Sequence, residues 1–349
     1  MIDSLFATIA LFLLTAAGFS AYKTRAIERT YPNIGELTDV GGYNLNAVHL
    51  PRPATSDLPA LVFIHGASGN LRDQFEAFAA PLSGRAEMLF VDRPGHGYSE
   101  RGTAENALPS GQADAIAKLM DKLGIKSAII IGHSFGGAIA AAFGMRHPEK
   151  TEGLLFLAPA THPWPGGVDW YYTLAAMPVF GWLFTRLLVM PIGLRRVENG
   201  TLSIFHPNKR PADYIAKTAP ELVLRPQTFR NNAADVVNLF AYVSAHAPRY
   251  REIKAPTIII TGDSDDIVLE ELHSRGLARD IPGSELVTIR NLGHKPDYVT
   301  TDVAIAAMER LAGQPRDLQT LAAQAENRIA GLTGETSGRE SSSQAVTTS

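Results

Sequence analysis

A serine between two glycines follows an apolar run in the segment IIIGHSFGG, residues 129–137. Ser134 stands two residues from both Gly132 and Gly136, and a stretch rich in alanine and glycine continues the chain. A sharp turn from strand to helix strains the backbone of such a serine, and small neighbours make that strain tolerable. The turn projects the hydroxyl beside the positive end of the next helix. The pattern therefore predicts that Ser134 is a nucleophile.

The base that would activate this serine is expected among the ten histidines of the chain. A serine hydroxyl needs a base, and the base needs a third group that orients it. His294 lies in NLGHKPDY, just beyond the last apolar run, where a loop can hold an imidazole over a sheet edge, and we predict it as the base. Four other histidines lie in contexts that favour packing or backbone hydrogen bonds: His65, His96, His133 and His273.

Three aspartates in TGDSDDIVLEE offer the acid that would orient the imidazole. We predict Asp265, because the apolar pair Ile267-Val268 after it can anchor the loop in the core. Asp266 is the main competitor, and Asp263 is expected to form a turn. The apolar run before the long insertion ends in LAPAT without a carboxylate, so the other common position for the acid is empty.

A loop in FIHGASGN is expected to stabilise the negative charge that develops on a substrate oxygen. Backbone N–H groups held in a preorganised loop supply this stabilisation. We predict the amides of Ala67 and Phe135 as the oxyanion hole. The glycines do not indicate a phosphate loop, because neither G-x-x-x-x-G-K-[ST] nor G-x-G-x-x-G occurs in the chain.

The elements that must position these residues are short apolar runs alternating with helical stretches. Continuously apolar runs are typical of strands that are covered on both faces. The first two runs, joined around Gly41-Gly42, are expected to form an antiparallel hairpin. The order predicts an α/β fold with an open, mostly parallel sheet and crossover helices. Eight segments are predicted as strands: GELTDV, YNLNAVHL, ALVFIHG, EMLFVDRPG, SAIIIGHS, GLLFLAPA, TIIITGD and ELVTIRNLGH.

An insertion of about ninety residues, from Pro163 to Lys254, interrupts this alternation of strands and helices. It is far longer than an ordinary crossover connection. It holds all three tryptophans and is divided by prolines into short helical pieces. We expect a helical cap over the carboxyl edge of the sheet, with Trp164, Trp170 and Tyr171 binding an apolar substrate. The alternative is that these aromatic side chains form the insertion's own small core.

The N-terminal segment LFATIALFLLTAAGFSAY, residues 5–22, contains no charged residue and as a helix would be about 27 Å long, close to the thickness of a bilayer core. Basic residues follow it rather than precede it, which favours a membrane anchor with a cytoplasmic catalytic domain. A cleaved signal peptide, which would make the protein secreted or periplasmic, and a helix packed on the domain are the alternatives.

The other end, from Gly334 onward, is polar and rich in serine and threonine, and we expect it to be disordered. The predicted organisation is an anchor or signal over 1–30, a first core part over 31–162 and a cap over 163–254. A second core part follows over 255–312, and a C-terminal helix with a disordered tail occupies 313–349.

Composition excludes several classes of function. The net charge of −3 provides no basic field for nucleic acid. The chain has no cysteine, which removes thiolate zinc sites and disulfides. The predicted chemistry requires neither a metal ion nor an organic cofactor, and the sequence does not indicate an oligomeric state.

In order along the chain, IHGASGN, VDRPGHGYS, GHSFGG, GDSDDIV and LGH resemble the motifs of the α/β-hydrolase superfamily over about Tyr31 to Ala312. The resemblance implies that fold and a Ser134–Asp265–His294 triad. Haloalkane dehalogenases and epoxide hydrolases of this fold carry an aspartate where Ser134 stands. Proline iminopeptidases have HGGPG, and carbon–carbon bond hydrolases read close to HGxGPG, where this chain has HGASG.

The remaining branch is a lipase-like or general carboxylesterase acting on small apolar esters. Cofactor-free haloperoxidases and perhydrolases share the same triad and stay open as an alternative. A non-catalytic ligand-binding member of the fold is the second alternative, because the fold does not determine the function.

Overall fold

A computed structural model describes residues 2–344, and it leaves the side chains of Ile2, Ile9 and residues 332–344 undescribed. Within that range eight strands form one sheet in the order β1-β2-β4-β3-β5-β6-β7-β8. The strands are β1 (Glu36–Asp39), β2 (Asn44–Leu50), β3 (Leu61–Ile64), β4 (Met88–Val91), β5 (Ala128–His133), β6 (Thr151–Leu157), β7 (Thr257–Gly262) and β8 (Glu285–Ile289).

The pairing in this sheet is mostly parallel. β1 with β2 and β2 with β4 are antiparallel, and every pair from β4 across to β8 is parallel. Each strand coincides with one of the eight segments quoted above, except that β6 begins two residues earlier, at Thr151, and β1 and β2 form the expected hairpin. The predicted α/β architecture is confirmed, because continuous runs of Ile, Leu, Val and Phe suit strands covered on both faces.

Helices connect and flank the strands. Those outside the long insertion are α1 (Ile2–Thr30), α2 (Leu71–Phe78), α3 (Pro109–Leu123), α4 (Phe135–Arg146), α11 (Ser274–Asp280), α12 (Pro296–Val299), α13 (Thr301–Leu311) and α14 (Leu318–Gln344). Six lie between β6 and β7: α5 (Trp170–Ala176), α6 (Pro178–Phe184), α7 (Met190–Leu194), α8 (Val197–Phe205), α9 (Tyr214–Thr218) and α10 (Pro226–His246).

The core has two apolar layers, one on each face of the sheet. Successive side chains of a strand point to opposite faces, and in β3 Val62 and Ile64 join one layer while Leu61 and Phe63 join the other. α4, with its small side chains, is buried against the first layer. The carboxyl end of β5 is therefore held firmly on both sides.

The N-terminal helix α1 is long and apolar enough to cross a membrane, and 6 % of its apolar window is buried. A signal sequence passes the same test, so anchor and signal both stay open. At the other end, α14 begins at Leu318 and packs against β8 and α13. The disordered tail from Gly334 stays a prediction, since it falls on residues whose side chains, or whose whole placement after Gln344, lie outside the description.

Candidate active site

Ser134 stands at the turn between β5 and α4 in a strained conformation, with φ 53° and ψ −118°. Such a conformation costs on the order of 1–3 kcal/mol and persists only where the surroundings hold it. Three backbone hydrogen bonds do so here. Ser134 N–H donates to Leu157 O at 3.0 Å, and Ser134 O accepts from Gly137 N at 2.9 Å and from Ala160 N at 3.0 Å. The turn is therefore fixed to the end of β6.

Steric constraints require glycine at the positions around Ser134. A Cβ at Gly132 would collide with the carbonyl of Gly136, and a Cβ at Gly136 would collide with the carbonyl of Ile64. One on Gly66 would lie 3.0 Å from the Cβ of Ser134. The turn and the loop after β3 therefore approach each other as closely as backbones can.

His294 and Asp265 form a buried hydrogen-bonded pair beside this turn. Nδ1 of His294 lies 2.7 Å from Oδ2 of Asp265, and both residues are 5 % exposed. Because an ionised carboxylate can only accept, Nδ1 carries the proton and Nε2 is left as the acceptor. This is the tautomer that a general base requires.

Asp265 is held in its ionised form by the end of its own loop. Its Oδ1 accepts from the N–H groups of Ile267 at 3.0 Å and Val268 at 2.9 Å. Burial alone would raise the pKa of Asp265, but the interaction with His294 and these N–H groups outweigh burial and lower that pKa below its usual value. The neighbouring Asp266 is exposed, and Asp263 accepts from Asn291 N–H in a turn.

Ser134 and His294 both line a cavity of about 880 Å³ between the sheet edge and the insertion, a volume typical of small-molecule sites. Among the hydrogen bonds of the described residues, none joins Ser134 Oγ to His294. Catalytic hydrogen bonds of this kind often shorten only in the complex with substrate. We call residues 163–254 the cap from here on, since its side chains close the cavity from above.

The two amides predicted as the oxyanion hole belong to two elements that meet at Ser134, the loop after β3 and the start of α4. Ala67 lines the cavity in the loop after β3, and Phe135 is the first residue of α4. Neither N–H donates to another group within the described part of the chain. Two unpaired amides beside a nucleophile at a helix N-terminus are suited to binding an oxyanion.

The predicted aromatic residues divide into two groups. Trp170 and Tyr171 line the cavity, as do Phe184 and Phe229. The structure does not bring Trp164 to the cavity: its indole packs edge-to-face on Phe240 and its N–H donates to Gly167 O at 2.9 Å. Trp164 packs against Phe240 within the insertion and against the main core, so the predicted substrate-binding role is not supported for this residue.

A comparison with known families decides the membership of the chain. Residues 59–296 match the family model for the alpha/beta hydrolase fold. The chain belongs to this family. The match begins before β3 and ends at Pro296, so it includes the strands and loops that carry the three residues above and the cap between them. This α/β hydrolase thus has the family's core on both sides of its insertion.

Several curated relatives of this α/β hydrolase are named as hydrolases, and two of them differ in substrate. A 2-hydroxy-6-oxononadienedioate/2-hydroxy-6-oxononatrienedioate hydrolase of Burkholderia vietnamiensis is 25 % identical over 242 residues, 67 % of this chain and 80 % of the relative. Monoacylglycerol lipase abhd6-B of Xenopus laevis is 24 % identical over 254 residues, 72 % of this chain and 74 % of the relative. The first has a substrate class that the HGASG loop does not favour.

Solved structures support the fold. The enol-lactonase of Burkholderia xenovorans LB400 superposes with a TM-score of 0.59 at 21 % identity, covering 80 % of this chain and 100 % of the enol-lactonase. The esterase RhEst1 of Rhodococcus sp. ECU1013 gives 0.61 at 20 % identity, covering 81 % and 100 %. At these identities the likeness concerns the fold alone.

A cap residue that the sequence did not indicate binds the loop predicted to form the oxyanion hole. Asn232, on α10, is fully buried. Its Oδ1 accepts from Ser68 N–H at 2.7 Å, and its Nδ2 donates to Ser68 Oγ at 3.1 Å. Ser68 follows Ala67 directly and has a φ of 58°, a strained value for serine. The position of the Ala67 amide therefore depends on how the cap packs against the loop after β3.

Replacing Asn232 by alanine is expected to lower kcat for an ester about tenfold and to change KM little, because a loosened Ala67 amide costs less than a deleted one. The measurement is steady-state kinetics of Asn232→Ala against Asn231→Ala. Asn231 is a matched control because its amide binds Gly95 O, in a different loop. A loss of equal size in both variants would contradict the positioning role.

A second buried cluster lies next to His294. The ammonium of Lys295 donates to Asp73 Oδ2 at 2.8 Å and to Asp297 Oδ2 at 2.9 Å, and Tyr214 OH donates to Asp73 Oδ1 at 2.9 Å. Burial raises the pKa of Asp297 to about 6 against the attraction of Lys295. For Asp73 the attraction of Lys295 outweighs burial and lowers the pKa. The cluster fixes the chain directly after the predicted base.

The same cluster includes a geometric candidate for a metal ion. One ligand atom each of Asp73, His133 and Asp297 lies within 4.8 Å of the others. However, the ammonium of Lys295 already bridges the two carboxylates and supplies the cation of this site. A metal ion would have to displace it, so the residues present do not favour one.

Proposed function

We propose that this protein is a serine hydrolase that cleaves apolar carboxylic esters through an acyl-enzyme. The observation that carries the proposal is that the strained Ser134 and the Asp265-bound His294 line one cavity. The hydrolytic activities of its curated relatives support the reaction class. The aromatic and aliphatic cap side chains in the lining support an apolar substrate.

In this mechanism His294 Nε2 takes the proton from Ser134 Oγ as the oxygen attacks the ester carbonyl carbon. The carbonyl electron pair moves to the oxygen, which accepts hydrogen bonds from the Ala67 and Phe135 amides. Collapse of the intermediate expels the alcohol, which takes the proton from His294. Water, activated by His294, then releases the carboxylic acid and restores Ser134. Asp265 keeps the imidazole in the required tautomer and stabilises its charge.

A series of p-nitrophenyl esters of increasing acyl length tests the substrate class. Each buried methylene contributes up to about 0.8 kcal/mol, so kcat/KM is expected to be at least about tenfold higher for the octanoate than for the acetate. Because Asp265 and His294 perform the acid and base roles without a metal ion, a chelator should leave the rate of ester hydrolysis unchanged. A flat or falling series would contradict an apolar acyl pocket.

Hydrolysis of a carbon–carbon bond is the second candidate, favoured by the names of two relatives, one of them a 2-hydroxy-6-oxo-6-phenylhexa-2,4-dienoate hydrolase of Burkholderia cepacia. Assaying that dienoate beside the octanoate ester separates the two. Faster turnover of the dienoate would replace the esterase proposal. If neither is hydrolysed, perhydrolysis in the presence of hydrogen peroxide and ligand binding without turnover are the remaining alternatives.

We further propose that α1 anchors the protein in a membrane, with the catalytic domain on the cytoplasmic side. Residues 5–22 carry no charge, and Lys23, Arg25 and Arg29 follow them. Detection of a mature N-terminus beyond Tyr22 by mass spectrometry of the native protein would establish a cleaved signal instead.

A further inference from the structure

An apolar surface on the cap is exposed around α6, and we call it the cap face. α5 and residues Pro178–Leu194 together have the length and composition of a membrane segment, but they are bent by 112° and so form a hairpin on the cap. The side chains of the cap face are 39 to 67 % exposed: Met177, Val179, Phe180, Trp182, Leu183 and Leu188. So large a set of neighbouring exposed apolar side chains marks an interaction surface.

The charged residues within the segment that carries the cap face have one sign, whereas Glu28 of α1 and Asp169 before α5 lie outside that segment. From Met177 to Arg196 the chain contains no aspartate or glutamate and three arginines. The guanidinium of Arg186 lies over the ring of Trp182, 4.3 Å from its centre. Exposed aromatic and aliphatic side chains flanked by arginines are typical of segments that enter the headgroup layer of anionic bilayers.

The cap face adjoins the base of the N-terminal helix. The last turns of α1 pack on residues Thr185–Val189, which directly follow α6, and Ile27 is buried against Val189 and Met190. Glu28 pairs with Arg225 of the cap at 3.1 Å. A bilayer that α1 enters would therefore lie beside the cap, on the side from which α1 projects.

The cavity opens next to this surface. Trp170 and Ile192 line the cavity and are nevertheless 70 % and 45 % exposed, so they stand at its rim. Both belong to the same stretch of cap, α5 to α7. An apolar molecule in the outer part of a bilayer leaflet would meet this rim before it met water.

We propose that the cap face docks on the lipid bilayer that α1 enters, and that the substrate reaches Ser134 from the lipid past Trp170 and Ile192. The docking is inferred from the cap face and α1 alone. The substrate route also rests on the proposed esterase function. A second copy of the chain covering the cap face is the competing occupant.

The three tryptophans of the chain all lie in the cap and provide the test of docking. The full-length protein is reconstituted in vesicles of dibrominated phosphatidylcholine with a minority of phosphatidylglycerol, as two single-tryptophan variants. Trp182 is retained in W164F/W170F, and Trp164, which is packed on Phe240, is retained in W170F/W182F as the internal control.

We expect the bromine atoms to quench Trp182 at least about twofold relative to unbrominated vesicles, because it would lie in the interfacial layer, and to leave Trp164 nearly unquenched. Equal quenching of the two would overturn the proposal, including the case in which a second copy shields Trp182 from lipid. This readout needs no turnover, so it stands or falls independently of the proposed function.

Kinetics test the route. For a diacylglycerol embedded in vesicles, kcat/KM of the variant V179E/F180E is expected to fall about tenfold, because two charges oppose burial in the interface. The variant is expected to hydrolyse soluble p-nitrophenyl butyrate as fast as the wild type does. Leu37→Glu, on the exposed edge strand β1 at 56 % exposure, is the matched control. Equal losses in the two variants, or on the two substrates, would overturn the route. Absence of wild-type turnover on both esters would refute the esterase function and leave the quenching result valid.

Discussion

Replacing Asp265 by asparagine is expected to lower kcat about 10⁴-fold, with little change in KM. The asparagine can still accept from the Val268 and Ile267 amides through its oxygen, so the loop should keep its shape. Its NH₂ group would then face Nδ1 of His294, which must accept instead of donate. The imidazole would carry its proton on Nε2, the nitrogen that has to receive the proton of Ser134.

Asp266→Asn is the matched control for this prediction. Asp266 is the next residue in the chain and is exposed, so its variant should retain wild-type kcat. Both variants are measured on the same p-nitrophenyl ester after circular dichroism has shown equal folding. A large loss in Asp266→Asn, or a loss of less than about tenfold in Asp265→Asn, would mean that His294 is oriented by another group.

The second large effect concerns stability. Replacing Lys295 by methionine is expected to lower the free energy of unfolding by about 3–5 kcal/mol, because it leaves two buried carboxylates without their cation. Lys295 is 1 % exposed and bonds to both Asp73 and Asp297. Urea denaturation gives the measurement. Lys217→Met is the control, because that lysine pairs with Asp213 and Glu76 at the surface, and its midpoint should not move.

The destabilisation of Lys295→Met should depend on pH with a definite sign. Burial holds the pKa of Asp297 at about 6 even with Lys295 present, and without the ammonium the pKa values of Asp73 and Asp297 both rise. Their native pKa values then exceed the unfolded value of about 3.9. The native state therefore binds more protons than the unfolded state, and its stability rises as the pH falls. The difference from wild type should shrink between pH 8 and pH 5, and a constant difference would contradict this account.

Local patterns in the sequence were enough to predict the strained turn at Ser134. The clash that requires glycine at position 132 lies within the G-x-S-x-G motif itself, whereas the clash that requires Gly136 is with the distant residue Ile64. His294 and Asp265 were recognisable because each follows a strand, and strand ends of a parallel sheet meet at one edge. The fold was also predictable from local patterns, because a continuous apolar run indicates each buried strand.

Contacts between distant segments were not predictable. Ser68 and Asn232 are 164 positions apart, and nothing in the sequence around Asn232 indicates the loop that its side chain binds. Asp73 and Lys295 are separated by 222 positions. Lys295 did have a signal, because a lysine followed by Pro296 and Asp297 beside a predicted catalytic histidine is an unusual place for a charge. Asp73 and Lys295 become a buried ion pair only in the folded chain, so their burial could not be predicted from the sequence.

The aromatic residues of the cap show a further limit. Trp164 and Trp170 are six positions apart and equally apolar, yet Trp164 packs on Phe240 and Trp170 stands at the rim of the cavity. Between them the chain turns at Gly166-Gly167, which have φ values of 94° and 70°. Composition indicated an aromatic cap but could not assign its faces.

Covalent labelling of Ser134 tests the central claim most directly. The full-length protein is treated with a fluorophosphonate, and the modified peptide is located by mass spectrometry in the wild type and in Ser134→Ala. We expect one phosphonate on Ser134, complete loss of labelling in Ser134→Ala, and strongly slowed labelling in Asp265→Asn. Labelling of another residue, or unchanged labelling of Ser134→Ala, would contradict the assignment of the nucleophile and with it the proposed mechanism.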